Sequence, residues 1–460
     1  MNLLRQCLVP ICVIAALSLL PKYAIAVPPP AAAEEELAVA SDEFRRLFAA
    51  ARFAEALPFA ARIVELNEAL GRHPDLAGSF NDLGSVQLNM GRAADAEASF
   101  SRALELLVAT EKIASPRYIA TLAGLAAAFK AQGQFARAAD ALRQAIAISR
   151  RGSGLFNAEQ LPLLASLVDV YEALGDDAGS EQELRYSAQV VEQAYGRDDL
   201  RVTPALQRLA EWYDKKDRSL QARQYWVRIL EIAAQEDGGR NATTIAALNA
   251  IARSHRLQYV RDPKSIGLST CPVDPKSGQP KPYWYCTDFG RAVSPAKAGE
   301  AAALKALELL DETPDPPPAL LVRTLIELGD WYITVRRPKL AMPYYTRAWH
   351  LVPEALATGE PHPLHVPVPL TYRPPAASLH YRHHSESDVT PIEFTLTVTS
   401  EGKTTDISAV TKTEPIRITQ VRRALAQAQY RPRFEDGLPI ETKNFRHVES
   451  WYEPPPGLKR

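Results

Sequence analysis

A small or apolar residue returns every 42 positions through the middle of this chain, and that spacing constrains the fold more than any other feature. Gly84, Ala126, Val168, Ala210 and Ala252 mark it. Leu83, Leu125, Leu167, Leu209 and Ile251 stand one residue before the markers, and Gln87, Phe129, Tyr171, Tyr213 and His255 three after. Twelve residues past each marker come Ala96, Ala138, Ser180 and Ala222, followed four later by Phe100, Leu142, Leu184 and Trp226. The spacing predicts helix pairs that pack a small contact beside a large one. One pair cannot bury enough apolar surface to offset its ordering entropy, so neighbours must stack and share a core.

The last copy reads Leu325, Leu328, Gly329, Tyr332, Ala341, Tyr345, Ala348 and Pro353, and with it the pattern resembles the tetratricopeptide repeat. That family's unit has about 34 residues, so a longer period implies longer helices or loops, as in arrays of the kinesin light-chain type. The expected fold class is mainly α: a solenoid of about seven helix pairs over 40–353, followed by a small α+β domain. The first unit, around Phe53, Ala56 and Ala60, matches poorly, as an end repeat with one unpacked face can. The sixth runs from Leu248 to His255, is interrupted at about 260–296, and resumes at Gly299, Ala303 and Ala306.

In such arrays the first helix of each pair lines the surface where protein or peptide partners sit. The resemblance, counted one and four residues past each marker, implies Ser85, Asp169 with Glu172, Glu211 with Asp214, Arg253 with Arg256, and Asp330 as partner-binding residues. The same side chains fit plain solvated helix faces. The Lys and Asn pairs with which some members clamp a terminal carboxylate are not reproduced.

The amino terminus predicts export. Arg5 precedes an apolar run from Cys7 to Leu20, and Ala24-Ile25-Ala26 follows as a cleavage site. As a helix that run would rise about 21 Å against a hydrocarbon layer of ~30 Å, which favours a signal peptide over 1–26 rather than an anchor. Removal of Cys7 and Cys12 leaves Cys271 and Cys286, which an exported protein is expected to join. That disulfide would pin the interruption of the sixth unit, contributing roughly 3 kcal/mol. The expected location is the periplasm, with an inner-membrane-anchored form as the alternative.

Prolines 361, 363, 367, 369, 374 and 375 predict an extended linker over 354–390. His362, His365, His380, His383 and His384 lie in it without a carboxylate or thiolate framework, and no metal site is assigned to them. From Ile392 the period becomes alternating. A hairpin over Ile392–Val398 and Ile407–Val410 is expected, then a helix over Ile416–Gln429, then strands over Tyr430–Phe434 and Ile440–Tyr452. This order, with Gly402, Tyr430-Arg431-Pro432, Gly437 and Pro439 at its turns, resembles the TonB carboxyl-terminal domain over 391–454, ahead of a 455–460 tail. The resemblance implies a periplasmic module that pairs by strand addition with a segment of an outer-membrane receptor, using Phe445 to Trp451 as the edge.

With 53 basic and 54 acidic residues, net charge gives no support to nucleic acid as a partner. No H-E-x-x-H, G-x-S-x-G or G-x-x-x-x-G-K-[ST] stretch occurs, and Ser294-Pro295-Ala296-Lys297, though it fits S-x-x-K, reads as a helix start. The expected activity is therefore a non-enzymatic scaffold without cofactor, metal or small-molecule substrate. A TonB-type energy transducer is the alternative and an envelope hydrolase a remote third.

Overall fold

The computed structural model describes residues 30–110, 115–236, 239–261, 268–270, 287–292, 295–355, 362–375 and 389–452. The segment 1–26, Cys271, Cys286, Ser294, His380, His383, His384 and the 455–460 tail lie outside the described residues. The chain divides into two compact units. One includes the residues up to Gly154 together with Asp169–Asp176; the other comprises Leu155–Val168 and the chain from Asp177 onward.

Among the described residues, fourteen helices follow one another as seven pairs. They are α1 (Pro30–Ala49) and α2 (Phe53–Ala69), α3 (His73–Asn89) and α4 (Ala93–Thr110), α5 (Pro116–Ala131) and α6 (Phe135–Ser153), and α7 (Leu161–Leu174) and α8 (Asp177–Tyr195). Then come α9 (Thr203–Lys215) and α10 (Ser219–Ala233), α11 (Ala242–Arg261) and α12 (Pro295–Asp311), and α13 (Pro318–Thr334) and α14 (Pro338–Ala355). The first helix begins at Pro30, ten residues ahead of the expected boundary. Where the sixth pair is interrupted, β1 (Leu268–Thr270) and β2 (Thr287–Ala292) form a two-stranded antiparallel ladder before α12 starts at Pro295.

The turn inside a pair obeys the same period as the helices. Gly91, Gly133 and Gly175 stop α3, α5 and α7 in the left-handed conformation, which lets the next amides cap the last carbonyls, as Gln134 N does to Phe129 O at 2.8 Å. Three pairs fill the equivalent position with residues that carry a Cβ: Ala51 after α1, Asp217 after α9 and Arg336 after α13, at φ 55°, 60° and 61°.

The small-beside-large rule is literal. A Cβ on Gly84 would lie 3.0 Å from the Phe100 ring, and one on Gly329 only 2.3 Å from the ring of Tyr345. Ala96, Ala138, Ser180, Ala222 and Ala341 are fully buried where the second helix crosses. Within the second unit the repeats share one core, running through Leu209, Trp226, Ile251, Ala303, Leu325 and Tyr345.

The carboxyl-terminal module contains β4 (Val389–Val398), β5 (Thr404–Ala409), α15 (Pro415–Gln427) and β9 (Thr442–Tyr452), with three antiparallel strands in the order β5-β4-β9. Ile392, Phe394, Leu396 and Val398 alternate into its core against Val421 and Leu425 of α15. The segment expected as one strand over Tyr430–Phe434 is instead two, because Pro432 has no N–H to continue a ladder. β6 (Tyr430–Arg431) pairs with β3 (Val368–Pro369), while β7 (Arg433–Glu435) pairs with β8 (Leu438–Ile440). β3 belongs to the stretch expected to be a linker. Residues 362–375 are packed chain, with Leu364 and Leu370 buried in the core of the repeats and Phe434 N donating to Leu364 O at 2.8 Å. Proline is tolerated in β3 because it makes a ladder on one side only.

The Gly329 contact can be tested directly. Tyr345 is fully buried and its ring cannot withdraw without breaking its hydroxyl hydrogen bond. Gly329→Ala is expected to destabilise the protein by about 1–3 kcal/mol, measured by urea unfolding, whereas Gly91→Ala, where a Cβ meets no neighbour, should cost only the ~1 kcal/mol of left-handed backbone.

Candidate functional site

The side chains expected to greet a partner fall into two groups, and the structure treats them differently. Ser85 gives its hydroxyl to its own helix, at Asn81 O, 2.8 Å. Asp169 is exposed and paired with Lys130 at 3.4 Å. Glu172 is half-buried. Glu211 is exposed and accepts from Gln207 at 2.9 Å. Asp214 is partly buried and accepts the Trp226 indole N–H at 2.9 Å, and burial raises its carboxyl to about 6.

Arg256 and Asp330, by contrast, are 7% and 2% exposed. They do not line an open surface, because the carboxyl-terminal module covers them. Arg431, from the Tyr430-Arg431-Pro432 motif, donates Nε and Nη2 to the two oxygens of Asp330 at 2.8 and 2.7 Å. Tyr345 donates its hydroxyl to the same carboxylate at 2.8 Å. Arg256 lies 3.7 Å from Asp330 and donates Nε to Glu327 at 3.0 Å, and Arg253 approaches Glu327 at 3.5 Å. Glu327 and Asp330 are three apart on α13, and Arg253 and Arg256 three apart on α11, so each pair shares a helix face.

The buried set is electrically balanced: two guanidinium groups, Arg256 and Arg431, against Glu327 and Asp330. Burial alone would raise the Asp330 carboxyl, but Arg431, first by its charge and then by its hydrogen bonds, holds it below the usual aspartate range. Burial and the Asp330 charge together push the Tyr345 phenol well above its ordinary value. Such a bidentate pair is strong as well as directional.

The remaining motif residues fix the module's contacts. Gly402, at φ +80°, lies against the Tyr430 backbone: a Cβ there would sit 2.0 Å from the Tyr430 carbonyl, and Tyr430 N donates to Gly402 O at 2.8 Å. Gly437 gives its carbonyl to the Thr346 hydroxyl at 3.0 Å, and Pro439 pairs with Phe434. Pro432 is buried. His362 stacks on Trp349 with ring centroids 3.9 Å apart, and His365 lies 5.4 Å from the same indole, so these two histidines are packing residues. Among the described residues no group of three or more His, Cys, Asp or Glu is arranged to hold a metal.

Sequence reasoning missed Glu327, and it missed that Tyr345 has a polar partner. The signal for the packed strap was confined to Leu364 and Leu370, since Val366 between them is exposed and the prolines mask any alternation. It also passed over His255, which stands where three earlier repeats carry Phe129, Tyr171 and Tyr213. His255 is buried beside Gly299 and neither ring nitrogen has a hydrogen-bond partner among the described residues. Burial first, and Arg223 second, hold its pKa well below the ordinary histidine value.

Residues 79–151 match the tetratricopeptide repeat family. This stretch is an array of tetratricopeptide repeats. Val168, Ala210 and Ala252 carry the 42-residue spacing on beyond it. Among solved structures, the carboxyl-terminal part of a TPR repeat-containing protein from Cytophaga hutchinsonii is 14% identical, with 68% of this chain and 95% of that one covered at a TM-score of 0.44. BtubC (BKLC) from P. vanneervenii is 16% identical over 59% of this chain and 93% of its own, at 0.39. The Rap protein complexed with Competence and Sporulation Factor is 13% identical over 70% and 76%, at 0.35. No curated protein matches the chain.

Two outcomes follow from these side chains. Arg431→Met should destabilise by about 3–5 kcal/mol in chemical denaturation, because Asp330 is left buried with its main partner gone; pairing it with Asp330→Leu should recover much of that loss in a double-mutant cycle. For His255 the folded pKa lies below the unfolded one, so the unfolded chain binds the proton first. Its contribution is present above about pH 6.5 and is lost as pH falls below that, at roughly 1.4 kcal/mol per pH unit at most. Thermal unfolding between pH 7.5 and 5 should show a flatter slope for His255→Phe, which restores the repeat's own aromatic.

Proposed function

We propose that this chain is a non-enzymatic interaction scaffold of the bacterial periplasm, exported by the 1–26 segment, in which helical repeats hold a protein or peptide partner beside a TonB-like terminal module. The observation that carries the reading is the use of the module's Arg431 as an internal clasp on Asp330. A Tyr-Arg-Pro turn and a repeat helix meet here in one buried ion pair, and no described cluster of reactive groups competes with them for a catalytic role. The module is held against the last repeats by the packed strap 362–375, so it presents its sheet from a fixed mounting and not from the extended linker expected over 354–390.

One observation favours the transducer as the second reading. β9 pairs with β4 along one side and, among the described residues, has no strand on the other. It is eleven residues long and half exposes Val448. A free edge of that length suits addition of a receptor strand, although Arg446 and Lys443 beside it are the kind of charge that guards an edge. The TonB-like reading of the module supports this alternative by the arrangement of Gly402, Tyr430 and Gly437. Among the described residues no helix is long and apolar enough to cross a membrane. The covalent state of Cys271 and Cys286 is part of the proposal, as a disulfide joining the two ends of the segment between β1 and β2.

The scaffold reading is checked by crosslinking in the native envelope, then repeating the capture with Asp169→Lys and, separately, Glu211→Lys. Each reversal is expected to weaken recovery of the crosslinked partner several-fold while leaving the unfolding midpoint in place, because both side chains are exposed. Recovery unchanged by either would remove the repeat helices as the binding surface. A mature chain beginning at Val27 in the soluble fraction favours the scaffold, whereas retention of 1–26 in the inner membrane favours the transducer.

A further inference from the structure

A cleft of about 810 Å³ lies in the second unit between the ends of two repeat helices, the packed strap and the module's helix. Its described lining is Tyr259 and Val260 from α11, Thr334 and Arg336 at the end of α13, Thr371, Arg373 and Pro375 from the strap, and a face of α15 bearing Gln420, Arg423 and Gln427. Three arginines line it and no described carboxylate does. This is unusual in a chain whose charges otherwise balance, and in which many exposed arginines are answered by a neighbouring acid. Arg336, Arg373 and Arg423 are exposed and make no side-chain ion pair or hydrogen bond among the described residues. α15 itself carries Arg417, Arg422 and Arg423 and no acidic residue.

Arg336 adds a second observation. It occupies the left-handed turn position, at φ 61°, that three other repeats give to glycine and two to Ala51 and Asp217, and of these turn residues it is the one that lines the cleft. A long side chain there costs backbone energy that glycine would not, and such outliers gather where a ligand is held. The side chain placed at that expense projects from the turn that lines the cleft.

We infer that the cleft binds an acidic peptide segment, about three extended residues with carboxylates along it. The size falls within the range of ligand sites. Gln420 to Gln427 span two helical turns, about 10 Å, which matches three residues of extended chain. Guanidinium groups are permanently charged and shaped for bidentate carboxylate contacts. They come from three separate elements, which spreads positive charge along the cleft and suits several carboxylates on a chain better than one compact anion. Val260, Pro375, Ala424 and the Tyr259 ring supply apolar wall for the peptide's own backbone and stems. The inference goes beyond the scaffold reading, since it uses neither the exposed acids of the repeat helices nor the β9 edge.

The test is fluorescence anisotropy with the full chain and a fluorescein-labelled, amide-capped peptide, Gly-Glu-Glu-Asp-Glu-Gly, against its uncharged counterpart Gly-Gln-Gln-Asn-Gln-Gly. The acidic peptide is expected to bind at least about tenfold more tightly, with affinity falling as salt rises. The double variant Arg373→Gln with Arg423→Gln is expected to lose about tenfold. Arg336→Gly is the sharper probe: it relieves the turn, so the unfolding midpoint should hold or rise while acidic-peptide affinity drops. Equal binding of the two peptides, or full affinity in both sets of variants, overturns the inference. Displacement of the peptide by micromolar inorganic phosphate also overturns it, reassigning the cleft to a compact anion. Asp169→Lys and Glu211→Lys should leave this binding unchanged, so failure here and failure of the scaffold reading are told apart.

Discussion

Burying Asp330 is the constraint around which the second unit is organised. A lone carboxylate at that depth would be neutralised or expelled, since several kcal/mol of solvation are lost with the water. It is kept charged because Arg431 grips both its oxygens, Tyr345 donates to one of them and Arg256 stands behind. Each of those partners is delivered by a different structural layer: a repeat's second helix, the preceding repeat's first helix, and a strand about a hundred residues further along. The carboxylate therefore links the seventh repeat, the sixth repeat and the terminal module in one set of contacts. Apolar contacts could supply comparable stability, but would not specify which turn of the module must meet which helix.

The strap explains how that meeting is reached. Leu364 and Leu370 enter the repeats' core while β3 gives β6 its only ladder partner among the described residues. Arg431 lies on the two-residue strand that this ladder holds, next to Tyr430, whose backbone is fixed in turn by Gly402. Small residues at Gly402 and Gly329 thus have one physical purpose: each lets a backbone or ring come close enough for a polar group behind it to reach Asp330.

Much of this was legible in the sequence. The 42-residue marker predicted the helix pairs and the small-beside-large contacts, because it reports a packing requirement that every pair must satisfy. The alternating run from Ile392 predicted β4, and the helix expected over Ile416–Gln429 is α15. Other features were hidden for physical reasons. Arg256, Asp330 and Arg431 look like surface charges in a linear reading, since charge usually means exposure. Their burial depends on a match between segments about a hundred residues apart, which no local pattern records. The strap was hidden by its prolines, which abolish helix and disfavour central strands yet leave a one-sided ladder available. Counting along the repeat assigns residues to helix faces, but does not say that part of a face is covered by the chain itself.

The positions that break the period are informative for the same reason that the period exists. A repeat is a solved packing problem, so a copy that departs from it loses stability unless another contact compensates. In the sixth and seventh repeats the departures accumulate. His255 replaces an aromatic with a ring whose nitrogens find no partner among the described residues, Arg336 stands at a turn that three repeats give to glycine, and the β1–β2 excursion divides a helix pair. Against these stand the gains of the Asp330 network and the module packed upon it. The second, third and fourth repeats keep their turn glycines at 91, 133 and 175, whereas Ala51 and Asp217 stand at that turn in the first and fifth. The buried network and the irregular chemistry thus meet where the terminal module joins, which is also where three arginines with no acidic partner among the described residues line a cleft.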